Sequence, residues 1–113
     1  MPHCIIEYTS ELEAALDIKG LVNMSFAGIE ETGLFDSTAI KVRATKVEYY
    51  KSGLDRDDFI HLTVKILPGR TDEQKLLITN NVLEKIAPIV GNTKCTSVEV
   101  VDLHGPSYNK QIK

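Results

Sequence analysis

The sequence predicts an α+β fold in which two β-α-β repeats form a four-stranded sheet with two helices on one face. The first observation behind this prediction is a gapless internal repeat at an offset of 58 residues, which places His3 over His61 and Val42 over Val100. The second is the apolar spacing, which in each half changes from the period of a strand to that of a helix and back. The chain therefore looks like one unit used twice.

The length of the chain sets the number of domains. A chain of 113 residues has enough material for one hydrophobic core but hardly for two. We therefore expect a single domain, residues 1–113, with pseudo-repeats at about 1–50 and 59–103.

The first repeat contains a short β-branched strand at 2–8 and a helix capped by Asp17. Gly33 should end that helix, because glycine tolerates the left-handed conformation common just beyond a helix. A second strand is expected within 38–50, with a bulge where its alternation breaks near Lys46. The residues predicted to form the apolar face of the helix are Ile18, Leu21, Val22, Ser25 and Ile29.

The second repeat has stronger boundary signals. Its predicted elements are a strand at 59–66, a helix from Thr71 to about Ile86 or slightly beyond, and a strand at 96–103. Thr71 and Gln74 have the spacing of a capping box, and Pro88 should end or kink the helix.

One face of the predicted sheet carries polar and charged side chains, namely Lys41, Arg43, His61 and Lys65. Two helices can cover the opposite face, but these side chains cannot form a dry core, so their face must meet water or a partner subunit. The broad apolar surface of the second helix and the small size of the chain favour an oligomer whose sheets face inwards.

Composition excludes several classes of protein. Thirteen Lys and Arg against sixteen Asp and Glu give a net charge of −3, which argues against binding nucleic acid through a broad basic face. The three histidines lack metal-ligand spacing, so no metal site is expected. Cys4 and Cys95 should be reduced thiols, and the N-terminus resembles neither a signal peptide nor a membrane span. We therefore expect a cytoplasmic protein without a membrane partner.

The group that could carry chemistry is at the N-terminus. Initiator methionine is normally removed before a residue as small as proline, which would leave Pro2 with a free secondary amine. Such an amine titrates close to neutrality, and burial or nearby cations would lower its pKa further, so it could act as a general base at pH 7. Many proteins begin with Met-Pro without any catalytic meaning, and from the dipeptide alone that remains the more frequent case.

Three cations are candidates for holding an anionic substrate. Arg70 lies beside a helix N-terminus and could bind a carboxylate with two hydrogen bonds. Lys41 and Arg43 project from one strand face and could add positive charge. The alternative is that all three are ordinary solvated side chains.

Several short motifs together resemble the 5-carboxymethyl-2-hydroxymuconate isomerase family nearly from end to end. They are Met-Pro-His at 1–3, Asp17 to Leu21, Thr-Gly-Leu-Phe at 32–35, His-Leu-Thr-Val-Lys-Ile at 61–66, Gly69-Arg70 and Ser-Val-Glu-Val-Val-Asp-Leu-His at 97–104. That family belongs to the tautomerase superfamily.

The resemblance implies a fold, an assembly and a reaction. It implies a homotrimer and a cofactor-independent isomerase that uses Pro2 as the catalytic base on a small anionic keto-enol acid. The implied reaction converts 5-carboxymethyl-2-hydroxymuconate to its conjugated 2-oxo isomer in homoprotocatechuate breakdown. By this resemblance, Arg70 would bind a substrate carboxylate. Lys41 stands where the family has an arginine with the same function. Arg43 matches a family arginine whose role is less clear.

Two alternatives remain open at this point. The order β-α-β-β-α-β also describes the ferredoxin-like modules that bind small molecules without catalysis. A tautomerase fold with a different substrate, or with decayed catalysis, is the other, and the lysine at position 41 is the departure that suggests it. If Met1 stays attached, moreover, the nitrogen of Pro2 is an amide and cannot act as a base.

Overall fold

A computed structural model describes residues 1–113 and contains four strands and three α-helices. In chain order these are β1 (His3–Thr9), α1 (Leu12–Ala15), α2 (Ile18–Glu30), β2 (Lys41–Val47), β3 (Phe59–Ile66), α3 (Asp72–Val90) and β4 (Cys95–Asp102). Short 3-10 turns at Ser37–Ala39 and Gly105–Ser107 precede β2 and follow β4.

The sheet has the strand order β2-β1-β3-β4. In each repeat the two strands pair with each other in parallel, and the repeats join through the antiparallel pair β1–β3, where His3 lies opposite Lys65. A split β-α-β unit would have another strand between the two parallel ones. The ferredoxin-like alternative is therefore wrong, and the predicted arrangement of two β-α-β repeats is confirmed.

The hydrophobic core lies between the sheet and helices α2 and α3. It is one cluster of 14 buried residues drawn from both repeats, and Ile6, Leu62 and Ile86 within it are completely buried. The strands contribute alternate residues, and β3 shows this most clearly because Ile60, Leu62, Val64 and Ile66 are all inaccessible.

The predicted helix starts are correct. The Asp17 carboxylate accepts a hydrogen bond from the Gly20 amide at 2.9 Å, and Thr71 and Gln74 form the reciprocal bonds of a capping box. At the other end of α2, the helix finishes at Glu30, and Gly33 three residues later has the positive φ of +70° expected of the residue that turns the chain.

Three local features differ from the sequence-based expectations. Helix α3 continues past Pro88 to Val90, since proline removes only one amide donor and Glu84 is exposed, so its freed carbonyl can bind water. Strand β2 is shorter than expected and has no bulge, because Lys46 keeps its regular pairing with Tyr8. Helix α1 was not predicted.

The alternation breaks at Lys46 because the apolar cover from α2 and α3 does not extend that far. Lys46 has the same strand parity as Val42 and Ala44, which places it on the helix side of the sheet. Its ammonium forms ion pairs there with Glu13 in α1 at 2.8 Å and with Glu48 at 3.5 Å.

The sheet face away from the helices is polar, as predicted. The registers place Lys41, Arg43, His61 and Lys65 on this face, which we call the open face. Ile5, at its centre, is only partly buried.

None of the helices has the length and apolar character needed to cross a lipid bilayer.

Candidate active site

Two backbone hydrogen bonds fix the N-terminus beside the start of β2. The Pro2 carbonyl accepts from the Lys41 amide at 3.0 Å, and the Met1 amine donates to the Ala39 carbonyl at 3.2 Å. Pro2 itself is fully buried. The first residues are therefore held in one place by the same segment that begins the neighbouring strand.

The N-terminus opens onto two cavities that share part of their lining. One has a volume of about 290 Å³ and the other about 460 Å³, and both are lined by Met1, Phe35, Leu67 and Arg70. These volumes are near the lower end of the range for sites that hold small organic molecules. The structure thus brings the predicted base region and the predicted carboxylate-binding arginine to the same space.

Arg70 is held in a fixed position with part of its guanidinium free. The group lies 5.1 Å from the centre of the Phe35 ring, and Nη2 donates a hydrogen bond to the Leu34 carbonyl at 2.5 Å. No carboxylate of the chain pairs with Arg70. The remaining N–H groups are therefore available to a substrate carboxylate.

Lys41 does not line either cavity, and it influences the Met1 amine only through its charge. Its ammonium is exposed on the open face, and like Arg70 it has no carboxylate partner. The pKa of the Met1 amine is lowered from its ordinary value by burial first, then by the charges of Lys110 and Lys41. This part of the structure favours an uncharged amine.

Arg43 is turned away from the cavities. Its Nη1 lies 3.2 Å from Nδ1 of His3, with which it forms a hydrogen bond on the open face. Burial and then the charge of Arg43 lower the pKa of His3, so the imidazole is neutral near pH 7. The structure therefore brings Arg43 to His3 rather than to the space beside Met1.

Cys4 is close in sequence to Pro2 but does not offer a competing nucleophile. Its side chain is completely buried in the core, and burial raises the pKa of the thiol to about 12. The reactive form of cysteine is the thiolate, which is almost absent at neutral pH when the pKa is so high.

Sequence reasoning missed two residues that line the larger cavity, Tyr108 and Lys110. Both belong to the polar C-terminal tail, which has no periodicity that would have assigned it to an element. The contact between Tyr108 and His3 spans 105 positions of sequence, and only the fold brings them together.

Comparison with known proteins assigns the family. The family model described as 5-carboxymethyl-2-hydroxymuconate isomerase matches residues 2–100, which is most of the chain. The chain belongs to this family. The predicted resemblance is thereby confirmed, and the protein is an isomerase of the tautomerase superfamily.

Individual relatives agree with this assignment. A 5-carboxymethyl-2-hydroxymuconate Delta-isomerase of Escherichia coli is 27% identical over an alignment of 116 positions, which covers 96% of this chain and 91% of that protein. The crystal structure of a 5-carboxymethyl-2-hydroxymuconate delta-isomerase matches 100% of this chain and 89% of its own at a TM-score of 0.82 and 16% identity. A fused 4-OT symmetric trimer matches 89% and 85% at a TM-score of 0.71 and 10% identity.

Proposed function

We propose that this isomerase moves a proton within 5-carboxymethyl-2-hydroxymuconate, with Pro2 as the base, as the resemblance to its family implies. The observation that carries the proposal is the position of the N-terminus, where Met1 and Arg70 line the same cavities. Arg70 would bind one carboxylate and Lys41 would contribute positive charge. Arg43 would act indirectly, by holding in place His3, which it contacts.

The proposed reaction is a balanced proton transfer. The Pro2 nitrogen takes the proton from the enol O–H, and the electrons of that bond form the C=O bond. The conjugated double bonds then shift along the carbon chain of the substrate. The same proton is then delivered to a carbon of the substrate, so no atom is gained or lost and no cofactor is required. A positively charged site stabilises the negative charge that the intermediate carries.

This chemistry requires that Met1 be removed, because an amide nitrogen has no basic lone pair. We propose that it is removed, since the second residue is the small Pro2. Met1 lines both cavities, so its loss would also enlarge the space in front of the Pro2 nitrogen. The same burial and the same lysines that lower the pKa of the Met1 amine would then act on the secondary amine.

The experiment compares two forms of one sequence. Protein that begins at Pro2 and protein that retains Met1 are prepared, and each N-terminus is verified by mass spectrometry. The isomerisation of 5-carboxymethyl-2-hydroxymuconate is followed by ultraviolet absorbance. We expect kcat to fall by about 10² to 10⁴ when Met1 is retained, the contribution typical of a positioned base.

Equal turnover by the two forms would rule out Pro2 as the base. If neither form turns over this compound but the form that begins at Pro2 isomerises another enol acid, the base is right and the substrate is wrong. The lysine at position 41, where the family pattern has arginine, is the feature that would then explain the difference.

We further propose that residues 1–113 form one domain and that three copies assemble with their open faces inwards. The single core drawn from both repeats supports the first statement. The polar open face and the trimeric fused 4-OT relative support the second. We also propose a cytoplasmic location, because Cys4 and Cys95 lie on strands that are not neighbours and are both unpaired.

A further inference from the structure

The C-terminal tail returns to the cavity at the N-terminus. The Leu103 amide donates to the Ile66 carbonyl at 2.7 Å, which continues the sheet by one bond beyond β4. Gly105 then packs on Pro68, whose ring atoms would lie within 3.5 Å of a side chain there. Tyr108 and Lys110 follow and line the larger cavity together with Arg70.

A hydrogen-bonded chain holds the tail in this place. The Arg43 guanidinium can only donate, so Nδ1 of His3 accepts and Nε2 carries the proton. Nε2 therefore donates to the Tyr108 hydroxyl at 3.3 Å, and the two rings meet edge to face with their centres 6.3 Å apart. Because His3 directly follows Pro2, the tail is tied to the strand that begins directly after the proposed base.

Lys110 brings an uncompensated positive charge to this cavity. It forms no ion pair with any carboxylate of the chain. Met1 and Asp36 line the same cavity. Asp36 is already engaged, because its carboxylate accepts hydrogen bonds from the Thr38 amide and hydroxyl at 2.9 and 2.8 Å.

We propose that the tail completes the substrate site, with Lys110 binding a second substrate carboxylate and Tyr108 positioning the segment that carries it. The larger cavity would then hold an anion between two independent cations, Arg70 and Lys110, which fits a ligand with at least two carboxylates. The family match ends at residue 100, so this segment lies outside the part of the chain that assigns the family. The inference rests on the proposed class of substrate.

The test measures binding and turnover separately. The probe is muconate, a dicarboxylate without the enol hydroxyl, and its dissociation constant is determined by calorimetry on protein that begins at Pro2. We expect Lys110→Gln to raise the dissociation constant of muconate about tenfold, as for loss of one charged hydrogen bond at a partly exposed site. Lys113→Gln removes the same charge from the end of the tail and should leave the dissociation constant within twofold.

Tyr108→Phe tests the positioning role. It keeps the ring against His3 but removes the hydroxyl, so we expect a smaller rise in the dissociation constant, about threefold. A purely structural role for Tyr108 would instead lower the melting temperature and leave the muconate dissociation constant as it is.

The outcomes separate this inference from the proposed function. A Lys110→Gln protein that binds muconate as tightly as wild type overturns the inference, as does a wild-type protein that does not bind muconate at all. A selective loss of binding in Lys110→Gln supports it even if 5-carboxymethyl-2-hydroxymuconate is not turned over, a result that would overturn only the proposed function.

Discussion

The amine at the N-terminus can serve as a base only if it is uncharged at working pH. Burial is the first cause of the lowered pKa of the Met1 amine, and Lys110 and Lys41 act in the same direction because a nearby positive charge disfavours the ammonium form. Once Met1 is removed, the same surroundings would act on the Pro2 amine. The pKa of an ordinary α-amine is about 7.7 to 8.0, so a downward shift increases the unprotonated fraction at neutral pH. Lys110 would thus help both to bind the anion and to keep the base unprotonated, and Lys41 would contribute to the second effect.

Substitutions of Lys41 should show whether its charge helps to keep the base unprotonated. Lys41→Gln removes the charge, so the pKa of the amine rises and the acid limb of the kcat/KM profile moves to higher pH, since that limb reports the free enzyme. Lys41→Arg keeps the charge and should leave the limb in place, because Lys41 lines neither cavity and acts on the amine through its charge. The measurement is kcat/KM from pH 5 to 9 for both variants.

An acid limb that does not move in Lys41→Gln would show that this lysine does not influence the base.

Single-residue patterns could locate the site but could not specify all of its partners. The sequence placed Arg43 on the open face from strand alternation alone, and the structure agrees. That the guanidinium contacts His3, 40 positions away, depends on the register that sets His3 opposite Lys41 and Ile5 opposite Arg43. Register follows from the packing of whole strands, so the contact could not be derived from either residue.

At the scale of elements, helices α2 and α3 pack closely against each other at Gly28. A side chain there would lie 3.0 Å from the Cα of Val82 and 3.4 Å from the Asn81 carbonyl oxygen. The Asn81 side chain also donates to the Gly28 carbonyl at 2.7 Å. The contact involves the backbone of α3, which cannot move without shifting the whole helix.

We therefore expect Gly28→Ala to lower the free energy of unfolding by about 1–3 kcal/mol, the range typical of overpacking, despite the better helix propensity of alanine. The matched control is Gly53→Ala, at a position where nothing lies within 4 Å and φ is not positive, which should be nearly neutral. Urea unfolding followed by circular dichroism measures both. A Gly28→Ala protein as stable as the control would show that the helices separate at little cost.

The elements with strong periodicity or caps were predicted from sequence, and the others were not. The observed strand β3 and the observed start of α3 agree with the prediction because alternation and a capping box are local sequence signals. Helix α1 spans only Leu12–Ala15 and has no capping side chain, so nothing in its sequence distinguishes it from a loop. Helix α3 does not end at Pro88, because Ile89 and Val90 still pack on the core although proline is unfavourable locally.

At the scale of the whole molecule, the two repeats together form one large surface, the open face, whose role is not explained by a single chain. Each repeat places its helix on the same side of the sheet, so both open faces merge into one continuous surface. His61 on this surface bonds to Ser97 at 2.6 Å and Glu99 at 2.5 Å, and Arg43 bonds to His3. These side chains are thus paired within the chain, which lowers the cost of burying them against a partner, whereas Lys41 and Lys65 form no ion pair and would need water or groups of the partner.

The proposed trimer makes a prediction about Ile5 at the centre of this surface, between Arg43 and Thr63 on the neighbouring strands. In an isolated chain, Ile5→Asp would place a carboxylate beside Arg43 in water and cost little, but in an assembly it would bury that charge between subunits. We expect wild type to sediment at about three times the 12.6 kDa chain mass and Ile5→Asp at the mass of one chain. Leu76→Asp, at a 59% exposed position of α3, is the control and should leave the sedimented mass unchanged. A wild-type protein that sediments as one chain, or a folded Ile5→Asp protein that keeps the wild-type mass, would mean that the open face meets solvent instead.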